Sequence, residues 1–227
     1  MSFILKVVLT RYLYDLEGVV RSLHQAMVER DYEKAIFWAY EMYYSGFRKE
    51  VLNILWRRYA EKFSANHPKL GFYIRSKIDI DQPACISTVL KNLTMKNPGV
   101  PEPANVRFVN VKEYHIEKYR TREPAGDTKP WKYLAAVCKY AISPRKEEDN
   151  AKERLTTFRE RWLYHASFSS IWRERILAHS GKVDETSREV TFCGEEEDAF
   201  YEKYGFEPEE QSIELQKRCM GIFDTIL

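Results

Sequence analysis

Apolar residues recur at intervals of three and four along the first 80 residues, and this spacing restricts the region to amphipathic helices. Asp31 precedes the second apolar stripe as a candidate N-cap, and Gly46 follows it as a candidate stop. The three stripes consist of Leu16, Val19, Val20, Leu23, Ala26 and Met27; of Ala35, Trp38, Ala39 and Met42; and of Val51, Leu52, Leu55, Tyr59 and Phe63. Three helices with short connections predict a small antiparallel bundle or a short helical stack.

The segment 94–105 is the best candidate for an internal boundary. It contains three prolines and one glycine, a composition that predicts a linker or a long loop. We therefore expect an N-terminal helical bundle at 1–93, a proline-rich linker at 94–105 and a C-terminal part at 106–227. A single compact domain that includes all three parts remains the alternative.

The C-terminal part begins with an ambiguous stretch and continues with a long helical pattern. Residues 106–111 favour an extended or strand conformation. Ser143 and Pro144 then open a pattern of about 35 residues, at roughly 1.5 Å each, that runs to Gly181. This pattern predicts one long helix, with Asp149–Asn150 as the place where it would break.

The remaining sequence predicts a small hairpin followed by acidic helices. Lys182–Asp184 and Arg188–Phe192 flank a three-residue turn, which is typical of a β-hairpin. An acidic helix is expected over 195–204, ended by Gly205, and a last helix over 213–223. The predicted fold class is mainly α: a multi-helix bundle or short helical stack with a small β-hairpin near the C-terminus.

Composition excludes several broad classes of protein. Of the 227 residues, 44% are hydrophobic and 14% aromatic, which supplies enough apolar surface for a core and excludes disorder as the main state. The 36 basic and 34 acidic residues leave a net charge of +2, which excludes a globally basic nucleic-acid coat protein. No apolar run approaches 18 residues, so we expect no membrane span. Lys6 and Arg11 interrupt the apolar N-terminal patch, which we therefore expect to be part of the fold rather than a secretory signal.

The cysteines point to a reducing compartment. Cys85, Cys138, Cys193 and Cys219 are at least 26 residues apart, without a closely spaced pair. Such spacing is typical of reduced, partly buried thiols in an intracellular protein.

Motifs for common chemistries are missing from the sequence. Neither GxxxxGK[ST] nor GxGxxG occurs, so we expect no ATP or NAD cofactor of the usual folds. The five histidines are never within four residues of one another, and no GxSxG elbow is present. We predict no catalytic residues, no metal and no cofactor, and an enzyme of unknown type is the third functional hypothesis.

Charge is strongly segregated along the chain. Residues 48–77 contain eight basic and two acidic residues, a local charge of +6, whereas 182–218 contain twelve acidic and five basic residues, a local charge of −7. A basic segment with interleaved aromatics can hold phosphates and stack bases, but it can equally be a protein contact or a solvated helix face. The opposite charges would also permit head-to-tail association of copies. The candidate residues for nucleic-acid or partner binding are Arg48, Lys49, Trp56, Arg57, Arg58, Lys62, Arg75 and Lys77.

The second predicted helix has more aromatic residues than one face can hold. Tyr40, Tyr43 and Tyr44 lie partly away from the inner stripe and are candidates for a second buried surface. That surface would be covered either by the rest of the chain or by a partner.

Two stretches, His24–Phe47 and Ile171–Gln211, resemble an uncharacterised protein family of large nucleocytoplasmic DNA viruses that infect algae and amoebae. The second stretch has Trp172, Gly181 and the string YGFEPEEQ in the same order as that family. The resemblance implies a viral protein that acts in the host cytoplasm, the viral factory or the virion. It implies no activity and no catalytic residue.

Together these observations favour a non-enzymatic protein-binding or scaffold protein. Its expected place is viral assembly or a replication or transcription complex. The alternative is a nucleic-acid-associated accessory factor that uses the basic segment 48–77. We expect a protein partner and no membrane, with nucleic acid and a second copy of the chain as the other partners considered.

Overall fold

The computed structural model of this chain describes residues 7–126, 128–144 and 151–222. Over these residues the fold is mainly α, with ten α-helices and one two-stranded antiparallel sheet, which confirms the predicted fold class. The chain forms two compact units. The central unit is Ser22–Arg120, and the split unit combines the residues up to Arg21 with those from Thr121 onward.

The central unit is built from the second half of α1 and four further helices. The bounds are α1 Leu16–Glu29, α2 Tyr32–Tyr44, α3 Arg48–Lys62, α4 Pro68–Lys77 and α5 Ala84–Met95. Helix α2 packs against both α3 and α5, and α4 packs against α5. Short 3₁₀ turns follow at Glu113–His115 and Glu117–Tyr119. The three predicted N-terminal helices are present.

Both predicted ends of α2 are confirmed. The Asp31 carboxylate accepts a hydrogen bond from the Lys34 backbone N–H at 3.1 Å, and this bond lowers the pKa of Asp31. At the other end, Ser45 is the C-cap and Gly46 has a φ of 101°, a conformation that glycine adopts without strain. Local sequence therefore sets the length of this helix.

The segment 94–105 begins with the last two residues of α5 and continues as a packed loop of the central unit rather than a linker between domains. Its Glu102 backbone N–H donates to the Asn66 carbonyl at 2.8 Å. The Glu102 carboxylate accepts from the backbone N–H groups of Lys69 at 2.8 Å and Leu70 at 3.2 Å, in the first turn of α4. These bonds attach the loop to the α3–α4 corner, and the observed unit boundaries lie elsewhere in the chain.

The stretch 106–111 does not join a sheet in the structure, unlike the strand that its β-leaning composition suggested. Side chains of α5 instead form hydrogen bonds with the backbone of this stretch. The Asn92 amide both accepts from the Val109 N–H at 3.0 Å and donates to the Val109 carbonyl at 2.8 Å. The Val111 N–H donates to the Thr88 hydroxyl at 3.0 Å. Because these groups are already bonded, the stretch needs no strand partner.

The split unit contains the remaining regular elements. These are α6 Pro130–Val137, α7 Ala151–Ala166, α8 Ser170–Ala178, β1 Lys182–Asp184, β2 Glu189–Thr191, α9 Glu196–Tyr204 and α10 Ile213–Met220. The predicted hairpin is confirmed, with Val183 opposite Val190 in its centre. The predicted acidic helix corresponds to α9. The last predicted helix corresponds to α10, although Phe223, in its predicted range, lies outside the described residues.

The single long helix expected after Pro144 was wrong, because the structure has separate helices α7 and α8, and α7 is itself kinked at Arg161, where φ is −139° and ψ is 28°. The Ser167 hydroxyl donates to the Tyr164 carbonyl at 2.6 Å, and the Ser169 hydroxyl donates to the Ala166 carbonyl at 2.9 Å. Ser169 itself is extended, with φ −89° and ψ 141°. These side-chain bonds compete with the helix backbone and end α7. The predicted break at Asp149–Asn150 lies outside the described residues.

The core of the split unit is an aromatic cluster around Trp172. This side chain is fully buried, and the rings of Trp162, Phe200, Tyr204 and Phe206 have centroids between 5.3 and 6.4 Å from it. Breaking the helix before α8 lets Trp162 and Trp172 meet edge to face at 5.3 Å.

A buried histidine makes this unit sensitive to acid. His165 is 6% exposed, and its Nδ1 lies 2.9 Å from the Val7 carbonyl oxygen. Burial, with smaller contributions from Arg161 and Arg188, lowers the pKa of His165 below the ordinary value of 6.5. The unfolded chain therefore binds the extra proton first as the pH falls, and folding stability decreases below about pH 6.5.

We expect His165→Gln to flatten this pH dependence, because the variant has no proton to gain at this position on unfolding. The wild type should lose up to about 1.4 kcal/mol of unfolding free energy per pH unit from this group between about pH 6.5 and its lowered pKa. Urea unfolding at several pH values, followed by circular dichroism, measures the slope. Equal slopes in the two proteins would contradict the assignment.

Candidate interaction surface

A groove of about 310 Å³ lies between α3 and α4. The side chains of α4 that line it are spaced by three and four residues and so share one face of the helix. The lining residues are Trp56, Tyr59, Ala60, Ser64, Pro68, Gly71, Phe72 and Arg75. The groove is therefore mostly apolar, with one guanidinium at its edge.

A glycine in α4 makes room for the buried tyrosine of the groove. A Cβ at Gly71 would lie 2.1 Å from the Tyr59 hydroxyl oxygen, so only glycine permits this close approach. The Tyr59 hydroxyl donates to the His67 carbonyl at 3.3 Å, and the side chain is 6% exposed. Gly71 and Tyr59 thus form a buried base for the groove.

The two aromatic rings Phe72 and Trp56 of the groove differ in their exposure to solvent. Phe72 is 73% exposed. Trp56 is half-buried, because the Tyr59 ring lies 5.1 Å from it and the Arg75 guanidinium lies 4.9 Å above its centroid. Phe72 is therefore the accessible apolar anchor of the groove.

The structure brings only some of the candidate basic residues to this groove. Arg75 lines it, and the exposed residues Lys49, Arg57 and Lys62 lie on α3, as does the half-buried Arg58. Within the part of the chain that the structure describes, no carboxylate lies within ion-pair distance of Arg57, Lys62 or Arg75. These three cations are available to an acidic partner.

The other two candidate cations have local roles. Arg48 lies 3.6 Å from the Asp81 carboxylate and over the Tyr43 ring, at 5.1 Å from its centroid. Lys77 lies over the Tyr73 ring at 5.7 Å. Lys77 also lines a separate polar cavity of about 400 Å³ at the start of α5. We therefore place Arg48 and Lys77 outside the groove.

Tyr40 and Tyr43 do not offer a surface to a partner, because the central unit itself buries them. Tyr40 is fully buried, its hydroxyl donates to the Pro83 carbonyl at 2.9 Å, and burial raises its pKa. Tyr43 is 3% exposed, and its hydroxyl donates to the Ile80 carbonyl at 2.8 Å. Half-buried Tyr44 stacks on Tyr40 at 5.7 Å. The rest of the chain covers this second face of α2.

The polar cavity at the start of α5 has no activated nucleophile. Its lining includes Cys85, whose pKa is raised by burial, so the unreactive thiol form is favoured. Lysines and carboxylates both line this cavity, among them Lys112 and Glu113. We assign it no chemistry.

Residues 7–126, 128–144 and 151–222 contain no group of three or more His, Cys, Asp or Glu side chains arranged to hold a metal ion. In that part of the chain, none of the helices has the length and apolar character needed to cross a bilayer.

Comparisons with protein-family models, curated proteins and solved structures found no match to this chain. The resemblance to a family of large DNA viruses therefore stays a prediction from the residues that suggested it.

Sequence reasoning missed the two α4 residues that shape the groove. Phe72 is one of the aromatic residues interleaved in the basic segment 48–77 but is not among the candidate residues, and neither is Gly71. The spacing of Pro68, Gly71, Phe72 and Arg75 indicates one face of a helix. No local signal shows that this face lies against Trp56.

Proposed function

We propose that this protein is a non-enzymatic binding protein whose α3–α4 groove docks an amphipathic helix of a partner protein. The observation that supports this is the exposed Phe72 ring in a groove between two helices. Such grooves receive the apolar face of a third helix, with side chains at intervals of three and four. The viral resemblance suggests a partner from an assembly, replication or transcription complex.

The charge around the groove defines the chemistry of the partner. Arg75 lines the groove, and the exposed Arg57 and Lys62 lie on α3, one of the two helices that form it, so the docking helix should have acidic residues beside its apolar face. Complementary charges speed the encounter and reject basic partners, while the buried apolar contact supplies most of the affinity. Binding should therefore weaken at high salt but persist.

A protein partner fits this surface better than a single-stranded nucleic acid. Single-strand binding proteins stack successive bases on several open aromatic faces. Here Tyr59 and Arg75 already contact the Trp56 ring, which leaves Phe72 as the accessible ring of the groove. One open ring is a poor stacking platform but a suitable anchor for an apolar side chain.

We expect Phe72→Asp to weaken partner binding by at least about tenfold, because it places a carboxylate in the apolar contact. The matched control is Tyr114→Asp, since Tyr114 is also 73% exposed in the central unit and does not line the groove. Immobilised wild type and both variants are incubated with nuclease-treated extract. Proteins that bind to wild type and Tyr114→Asp but not to Phe72→Asp are identified by mass spectrometry.

The identified partner is then produced in pure form and titrated against the three proteins by isothermal calorimetry. Circular dichroism of each variant checks that the helices are intact. If every retained protein binds all three forms equally, the groove is not the docking site.

A nucleic-acid-binding protein is the second candidate, favoured by the cations of α3 that have no carboxylate partner. Its probe is a fluorescein-labelled single-stranded oligothymidine, measured by anisotropy at increasing salt. Binding that falls steeply with salt and disappears in Arg57→Glu/Lys62→Glu would support this candidate. If the oligothymidine does not bind even at low salt, the nucleic-acid-binding function is excluded.

A further inference from the structure

Two cysteines that are far apart in sequence meet in the core of the split unit. Cys138, at the C-terminal end of α6, and Cys219, in the last turn of α10, are both fully buried. Their Sγ atoms are 3.7 Å apart across a sequence separation of 81 residues. A disulfide needs a separation of about 2.05 Å, so closing the pair requires a sulfur movement of less than about 2 Å.

The backbone around both cysteines is held by hydrogen bonds. The Arg218 guanidinium donates to the Cys138 carbonyl at 2.8 Å, directly linking the two segments. The Asp15 backbone N–H donates to the Cys219 carbonyl at 3.0 Å, and the Ile142 N–H donates to the Arg218 carbonyl at 3.2 Å. These bonds keep the two cysteines adjacent, so closing the S–S bond requires side-chain adjustment rather than a rearrangement of helices. Because both thiols are fully buried, peroxide reaches them only when the split unit opens locally, and we expect slow oxidation.

We infer that Cys138 and Cys219 form a reversible disulfide when the protein meets a peroxide. One thiol attacks a peroxide oxygen, which breaks the O–O bond and gives a sulfenic acid and one water from hydrogen peroxide. The second sulfur then displaces the sulfenic oxygen as a second water, and the S–S bond forms. The two thiols lose two hydrogens and two electrons, and the peroxide is reduced.

The other two cysteines have no such neighbour among the described residues. Cys85 donates to the Asp79 carbonyl at 3.1 Å in the central unit, and Cys193 is exposed. Oxidation of either one would give a sulfenic acid or a link to another molecule. Only Cys138 and Cys219 are therefore expected, among the described cysteines, to form a disulfide within one chain.

The bond should stabilise the split unit. It would close a loop across 81 positions and restrict the unfolded chain. We expect the midpoint of thermal unfolding to rise by on the order of 10 °C after oxidation and to return after reduction with dithiothreitol.

The test treats the folded chain with hydrogen peroxide, blocks remaining thiols with iodoacetamide in denaturant, and maps tryptic peptides by mass spectrometry. Cleavage at lysine and arginine places each cysteine in a different peptide, with Cys138 in 133–139 and Cys219 after Arg218. The expected product is these two peptides joined, lighter than their sum by two hydrogens and separated by reduction. The variant Cys85→Ser/Cys193→Ser should still form the link.

Cys219→Ser should abolish the link and the rise in thermal midpoint. If that variant fails to fold, the inference is tested by the wild-type peptide map alone, which shows whether the peptides containing Cys138 and Cys219 are joined. All four thiols alkylated after peroxide treatment, a link that involves Cys85 or Cys193, or an unchanged thermal midpoint in cross-linked protein would overturn the inference.

Discussion

Replacing Trp172 by alanine is expected to lower the free energy of unfolding by about 3 to 5 kcal/mol. The indole is fully buried in the split unit, where rings from α7, α9 and the segment after α9 surround it. Its Nε1–H also donates to the Thr10 carbonyl at 3.0 Å. The substitution would leave a large cavity and remove one of the two hydrogen bonds that the Thr10 carbonyl accepts, the other coming from the Leu13 N–H at 3.0 Å. Urea unfolding followed by circular dichroism measures the loss.

Two controls separate packing from the hydrogen bond. Trp172→Phe keeps a ring in the cluster but removes the donor to Thr10, and we expect a loss of about 1 to 3 kcal/mol. Trp131→Ala changes a half-buried tryptophan of α6 and should cost less than Trp172→Ala. The packing argument fails if Trp172→Ala and Trp131→Ala are equally stable.

Replacing Arg154 by methionine should have an effect of similar size through electrostatics. The Arg154 guanidinium lies 2.7 Å from the Asp15 carboxylate, and both side chains are at most 4% exposed. Asp15 also accepts from the Gly18 N–H at 3.0 Å, in the first turn of α1. Removing Arg154 takes a counter-charge away from a buried carboxylate, which costs up to about 3 to 5 kcal/mol. Urea unfolding of the full chain measures this cost.

The double variant Asp15→Asn/Arg154→Met tests whether charge is the cause. An asparagine keeps an oxygen that can accept from Gly18 but carries no charge, so most of the lost stability should return. A double variant that is less stable than Arg154→Met alone would be inconsistent with this explanation. A loss below about 1 kcal/mol in Arg154→Met would be inconsistent as well.

Much of the secondary structure could be predicted because its signals are local. Asp31 and Gly46 mark the ends of α2 through a side-chain cap and a positive φ, both of which depend on neighbouring residues alone. The hairpin β1–β2 was predicted from its short strands and turn. The break between α7 and α8 was not, because the apolar pattern continues through it. The serine hydroxyl bonds that end α7 and the packing of Trp162 on Trp172 are evident only in the structure.

The candidate surface was predicted in part. Trp56, Arg57, Lys62 and Arg75 were singled out by a cluster of positive charge and aromatic residues. Charge density along the chain cannot show which residues meet across two helices, so the groove and its anchor Phe72 emerged only from the structure.

Local sequence was sufficient to predict the first three helices, the caps of α2, the hairpin and the opposite charges of 48–77 and 182–218. Each depends on residues within a few positions of one another, where spacing and side-chain chemistry are sufficient. The tertiary structure alone decided that α5 and its preceding loop cover Tyr40 and that Cys138 meets Cys219. Four cysteines allow three pairings, and spacing cannot choose among them, because such contacts depend on how distant elements pack.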